Sequence, residues 1–306
     1  MQKKLLTILF FMAPLVVYGQ LHSLSNQYIV NGLAINPAYS GADGALSATL
    51  MYRNQWTGFT GAPKTITAAL HAPLRNERVG LGLMVVNDQI GVNNQTTVMA
   101  NYAYIIEMGD GKLAFGFGLG ISMLNVSWDK LQATDENDNG LNISPEKLTN
   151  PNFSAGLFYH NKEFFVGFST PMLLSYSYSG ENATDLELKN DFSEYNFYLT
   201  SGYKLELNND YTFFPSIIMK FNPGEAFQAD VSAQFILRNK LWLGLTYRSV
   251  DALVAIVQFQ LTDQLRLAYS YDTGLSGKSR QMGGSHEIML NYLFNYNSKV
   301  VGPKRF

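Results

Sequence analysis

Asp135-Glu136-Asn137-Asp138-Asn139-Gly140, followed after five residues by Glu146, has the spacing of an EF-hand calcium loop. Oxygen-bearing side chains alternate, a glycine stands where the chain must turn sharply, and a glutamate follows that can close the coordination shell. Asp135, Asn137, Asn139 and Glu146 are the ligands such a site would use. Two features weigh against it: Asn142 occupies a position that is usually aliphatic, and Pro145 with short flanks disfavours the paired helices that hold such loops. An acid-rich surface loop without a metal is therefore the competing reading, and no cofactor other than calcium is indicated. The four histidines are His22, His71, His160 and His286. Hydrolysis would need one of them beside a serine and an orienting polar group, and the local sequence marks no such set. Gly116-x-Gly118-x-Gly120 has glycine spacing reminiscent of a dinucleotide fingerprint, but that fingerprint needs a strand that ends into a helix. A non-enzymatic chain is expected.

The elements that must carry these residues alternate with period two from Ala45 onward, which puts one set of side chains on each face of a strand. Leu113, Phe115, Phe117, Leu119, Ile121 and Met123 oppose Ala114, Gly116, Gly118, Gly120 and Ser122. Leu265, Leu267, Tyr269 and Tyr271 oppose Arg266, Ala268, Ser270 and Asp272, and Ala229, Val231, Ala233 and Phe235 oppose Gln228, Asp230, Ser232 and Gln234. Such alternation suits a soluble sandwich with its apolar face inward or a membrane barrel with its apolar face on lipid.

Loop lengths decide between them. About fourteen strands are expected, with short connections after even strands, such as Asn161-Lys162 and Thr262-Asp263-Gln264. Several connections after odd strands are long: 54 to 64, 125 to 152, 171 to 195 and 273 to 284. Segregation of long and short loops to opposite ends is the asymmetry of bacterial outer-membrane barrels, whose tight turns are periplasmic. Both termini are then expected in the periplasm. Tyrosines at strand ends form two girdles, Tyr52, Tyr247 and Tyr271 outside and Tyr104, Tyr159, Tyr203 and Tyr292 inside. The inward set is rich in glycine and poor in charge, which disfavours an open, charge-lined pore.

Composition supports this fold class, an all-β transmembrane antiparallel barrel. Charged residues make up 15% of the chain, against about 25% in soluble domains, and aromatics 13%. Lys3 and Lys4 precede an apolar run from Leu5 to Tyr18 and a small Gly19, the layout of a secretory signal cleaved after Gly19. Removal of the two lysines makes the formal charge more negative than the −2 of the whole chain, so nucleic acid is not an expected partner. With no cysteine there is neither a disulfide framework nor a site for lipid attachment at an N-terminal cysteine. The expected division is a signal peptide over 1–19, a periplasmic or plug segment over 20–44, the barrel over 45–294 and a periplasmic tail over 295–306. The plug would enter from the periplasmic side.

Asn36-Pro37-Ala38-Tyr39-Ser40-Gly41, Tyr52-Arg53-Asn54-Gln55-Trp56-Thr57-Gly58, Gly61-Ala62-Pro63-Lys64-Thr65, Tyr271-Asp272-Thr273-Gly274-Leu275, Ser285-His286-Glu287-Ile288 and the closing Pro303-Lys304-Arg305-Phe306 occur in that order. Together they resemble the PorP/SprF family of type IX secretion and gliding-associated membrane proteins, over essentially the whole mature chain. The resemblance implies an outer-membrane barrel that works with secretion or gliding machinery, periplasmic subunits included. It also implies a partner, a large secreted adhesin-like surface protein whose export or surface attachment the barrel supports. Asn36, Pro37, Tyr39, Gly41, His286 and Glu287 carry the family motifs. Read physically, Arg53, Gln55, Trp56 and Pro63 either order the first outer loop or form an outer docking surface, because Trp and Arg are favoured interface anchors. His286 and Glu287 are expected to tie the closing strand to its neighbour. A passive or substrate-specific pore is the alternative function.

Overall fold

The computed structural model describes residues 25–127, 147–173, 175–179, 185–189, 192–223, 227–249 and 252–294. The expected signal, the C-terminal tail and the calcium-loop residues Asp135, Asn137, Asn139 and Glu146 lie outside them.

Alternating residues pleat into strands because only one face of each can be apolar toward lipid while the other turns to the lumen. The strands are β1 (Leu46–Asn54), β2 (Lys64–Pro73), β3 (Val79–Ile90), β4 (Asn93–Met108), β5 (Gly111–Val126), β6 (Lys147–His160), β7 (Phe164–Thr170), β8 (Ser175–Ser179), β9 (Asp185–Lys189), β10 (Phe197–Tyr203), β11 (Leu205–Glu206), β12 (Tyr211–Phe221), β13 (Gln228–Leu237), β14 (Leu241–Arg248), β15 (Ala252–Gln260), β16 (Leu265–Gly274) and β17 (Ser285–Phe294). Apart from the β8–β9 hairpin and the short β11, they form one closed 14-stranded antiparallel wall. It closes where β1 pairs with β17, from Leu46↔Phe294 to Asn54↔His286. The ring is continuous through the β10–β12 pair as well, from Phe197↔Phe221 to Gly202↔Ser216.

The alternation places side chains as the sequence pattern requires. Phe115, Phe117, Leu119, Ile121 and Met123 are exposed on the outer face, whereas Ala114, Gly118 and Ser122 are buried. In β16, Leu267, Tyr269 and Tyr271 face out and Arg266, Ala268, Ser270 and Asp272 face in. At the short-turn end, outward tyrosines bond to the turns: Tyr203 to Glu163 and Tyr292 to Gln264. The connection from Arg238 to Lys240 that joins β13 to β14 has Arg238 and Asn239 both at positive φ (51° and 52°) and a Lys240 N–H donated to Leu237 C=O, a primed turn whose twist matches that of the strands.

Two details go beyond the sequence pattern. β6 begins at Lys147, about six residues earlier than its alternation suggests, because β5 runs on to Val126 and pairs with it from Asn125↔Lys147 onward. The tenth strand breaks at Lys204 into β10 and β11, and the break faces Pro215 of β12, which has no N–H to give the ladder.

Candidate functional site

The lumen is filled by the chain's own N-terminal segment. It starts as a turn in which Val30 and Asn31 N–H groups both donate to Gln27 C=O, and continues through short 3-10 turns at Gly32–Ala34 and Pro37–Tyr39. Asn36 and Pro37 set the second turn. Proline supplies the fixed φ of a first helical position, and the Asn36 side chain accepts from Ala38 N–H at 2.9 Å. The Asn36 amide also donates to Leu157 C=O at 2.9 Å, and Ser169 Oγ donates to Ile35 C=O at 2.6 Å, so wall and segment share hydrogen bonds. Tyr28, Ile29, Leu33, Ile35, Ala38 and Tyr39 pack with inward Ala114, Phe158, Phe165 and Phe214.

The inward glycines are now explained in two groups. A Cβ at Gly80 would overlap Ser40 C=O, one at Gly116 would overlap the Ala38 backbone, and one at Gly156 would overlap Asn36 Oδ1. These three make room for the plug. Gly118, Gly202 and Gly244 instead meet the wall's own Ser154, Phe165 and Gln234.

At the long-loop end a charge cluster holds the start of the segment. Arg53, near the end of β1, donates through one Nη to Asp272 Oδ2 at 2.6 Å and through the other to Glu287 Oε2 at 3.1 Å. The same Glu287 carboxylate accepts from Ser25 Oγ at 2.8 Å, Gln27 N–H at 3.1 Å and Asn26 N–H at 3.2 Å. Asn26 is gripped from the other side as well, donating to Asp272 and accepting from Arg248 Nη2 at 3.0 Å, while Arg248 pairs with Asp230. Arg53 is 4% exposed and Glu287 0%, so these charges interact with little water between them. At the short-turn end Gly41, at φ +82°, donates its N–H to His71 Nδ1 at 3.1 Å. That bond leaves the His71 proton on Nε2, 3.5 Å from Asp43, whose other oxygen accepts from Tyr39 OH.

The direction of the segment corrects an expectation. Ser25 stands at the long-loop end and Gly44 at the short-turn end, so the described chain runs down the lumen rather than entering it from the short-turn side. The charge-poor reading of the lumen needs revision too. Arg53, Asp230, Arg248, Asp272 and Glu287 all face inward within three residues of the long-loop ends of their strands.

The four residues suggested as a docking surface separate. Arg53, Gln55 and Pro63 are buried, so they cannot present an outer surface. Gln55 N–H donates to Pro63 C=O at 2.9 Å and closes the first loop. Trp56 alone is turned outward, 39% exposed, with Phe59 beside it in the loop at 63%. Trp56 is held at φ 43°, a left-handed conformation that costs a bulky residue about 1–2 kcal/mol. Thr57 N–H on Gly284 C=O and Trp56 N–H on Ser285 Oγ fix it to the loop before β17. His286 bonds through Nδ1 to Tyr269 OH at 2.7 Å on the neighbouring strand, and Glu287 reaches β1 through Arg53 and the plug through Ser25.

A motif set that folds into one plug and its latch invites comparison with known proteins. The model of the family described as type IX secretion system membrane protein PorP/SprF matches residues 18–292. The chain belongs to the PorP/SprF family. Comparison with curated protein sequences gives no match. Among solved structures, the CymD monoaromatic hydrocarbon channel is similar at a TM-score of 0.52 and 10% identity, over 92% of this chain and 96% of that one. The outer-membrane protein Omp33 of Acinetobacter baumannii (TM-score 0.48, 8% identity, 82% and 98% coverage) and a Pseudomonas aeruginosa FadL homologue (0.47, 12%, 91% and 96%) are similar as well. This PorP/SprF protein is an outer-membrane β-barrel, and what it shares with the CymD channel is the fold.

Of the motif residues, Asn36, Pro37, Tyr39 and Gly41 lie in the plug, Glu287 holds its start, and His286 ties β17 to β16. What sequence reasoning missed is the rest of the grip on the plug: Asn26, Asp230 and Arg248 at the long-loop end, and Asp43 and His71 at the short-turn end. A signal existed in the strand pattern, because the charged inward residues Arg53, Asp230, Arg248, Asp272 and Glu287 all fall at the same end of their strands.

Proposed function

We propose that this barrel is a non-enzymatic component of type IX secretion that supports the export or surface attachment of a large secreted, adhesin-like protein. It presents its long-loop rim to that protein and its short-turn end to envelope machinery. The observation that carries the reading is the occupied lumen: with Ser25–Gly44 hydrogen-bonded to the wall from one end to the other, the working surfaces are the rims. At the long-loop rim, Trp56 is an exposed aromatic held in a costly backbone conformation, a feature that concentrates at binding sites. The pore alternative requires a lumen free of its own chain, and the plug stands against it.

Affinity capture of the detergent-solubilised protein, tagged in the 125–152 loop, tests the proposal by mass spectrometry of what co-purifies. Recovery of one large secreted protein with secretion-machinery subunits, reduced at least several-fold by Trp56→Ala with Phe59→Ala, supports it. A barrel recovered alone under conditions that retain other envelope complexes would count against it.

A further inference from the structure

We infer that the barrel threads its own N-terminal segment through the lumen with the amino-terminal end on the long-loop face, so that the mature N-terminus is displayed on that face and not at the short-turn end. This adds a chain end to the rim where the proposed function places the partner, yet it stands independently of that function.

Both ends of the thread fix its direction. Ser25 Oγ lies 2.8 Å from Glu287 Oε1, the third residue of β17. Asn26 donates to Asp272, two residues before the end of β16, and accepts from Arg248, the last residue of β14. Those are long-loop positions on three strands. At the other end Gly41 bonds to His71, two residues before the end of β2, and the backbone at Ser40 presses on Gly80, the second residue of β3. Those are short-turn positions.

A chain leaving Ser25 in the N-terminal direction has few routes. The lumen beneath it is taken by the apolar body of the plug, Ile29, Leu33, Ile35 and Tyr39, all buried. Among the described residues the strands pair in an unbroken ring, and below the long-loop rim backbone could not pass between them without unpairing strands. The long-loop rim is the open direction. The grip on Ser25 and Asn26 is also strong enough to hold it. One fully buried carboxylate accepts from a hydroxyl and two backbone N–H groups, and charge-assisted bonds of that kind are roughly twice as strong as neutral ones.

The absence of cysteine from the chain allows a direct test. Three single variants are labelled with a membrane-impermeant maleimide on intact cells and again after outer-membrane permeabilisation: Ser23→Cys upstream of the thread, Thr60→Cys in the exposed first loop, and Lys162→Cys in an exposed short turn. Each variant is first checked for the folded band on an unboiled gel. The expected result is that Ser23→Cys reacts from the same side of the membrane as Thr60→Cys, and Lys162→Cys from the opposite side. Reaction of Ser23→Cys only from the side of Lys162→Cys overturns the inference, whichever way the barrel is inserted. Neither result depends on whether affinity capture finds a secreted partner, so the two readings fail separately.

Discussion

Arg53 is the residue on which wall and plug both depend. Its guanidinium bridges two carboxylates from β16 and β17, and a planar fork with donors on separate nitrogens suits that bridge better than an ammonium. Arg53→Ala leaves Asp272 and Glu287 buried without the Arg53 cation, and a loss of about 3–5 kcal/mol is expected. The temperature at which the folded gel band converts to the unfolded one should fall accordingly, with Arg53→Lys lying between variant and native protein. Trp56 is expected to behave in the opposite way. Trp56→Gly removes the left-handed penalty of about 1 kcal/mol, so the same melting measurement should show equal or higher stability while partner capture drops. A residue that mattered only for loop structure would lose stability on that change.

At the scale of elements, the plug is fitted to the wall by missing side chains. Gly116→Val puts a branched side chain into the space of the Ala38 backbone, so either the plug leaves or the wall distorts, at a cost of about 1–3 kcal/mol. Limited chymotrypsin digestion should then cut at Tyr28 or Tyr39, which the native protein buries. Gly109→Ala offers a control, with open space at the added carbon though a positive φ in its turn. The strands were legible in the sequence because burial on one face imposes period two over many residues, and because wall loops differ in length by side. Even there, β6 is longer than its alternation, since its first residues are paired only through the extension of β5. The plug was legible as a segment with Asn-Pro and glycine turns, but its path was not. Its direction depends on contacts such as Asn26 with Glu287, 261 positions away, and no local pattern encodes them. The docking set Arg53, Gln55, Trp56 and Pro63 was contiguous with a real loop. Strand alternation already turned Arg53 inward, however, and its partners Asp272 and Glu287 stood in motifs at the other end of the chain.

At the scale of the whole molecule, the described residues form a closed barrel with a filled lumen, which the proposed function puts to work through its rims. Inward polar residues such as Ser216, Gln228, Ser232, Gln234 and Thr246 would line a hydrophilic passage if nothing occupied it, so occupation by the plug is what separates a partner-binding barrel from a pore. Conductance of the purified, folded protein in planar lipid bilayers, compared with the same preparation of Gly116→Val, measures that occupation directly. A silent native protein is expected, with current steps appearing when the plug is dislodged. Steady ohmic steps from the native protein, at the same size as from the variant, would contradict it and return the pore reading to first place.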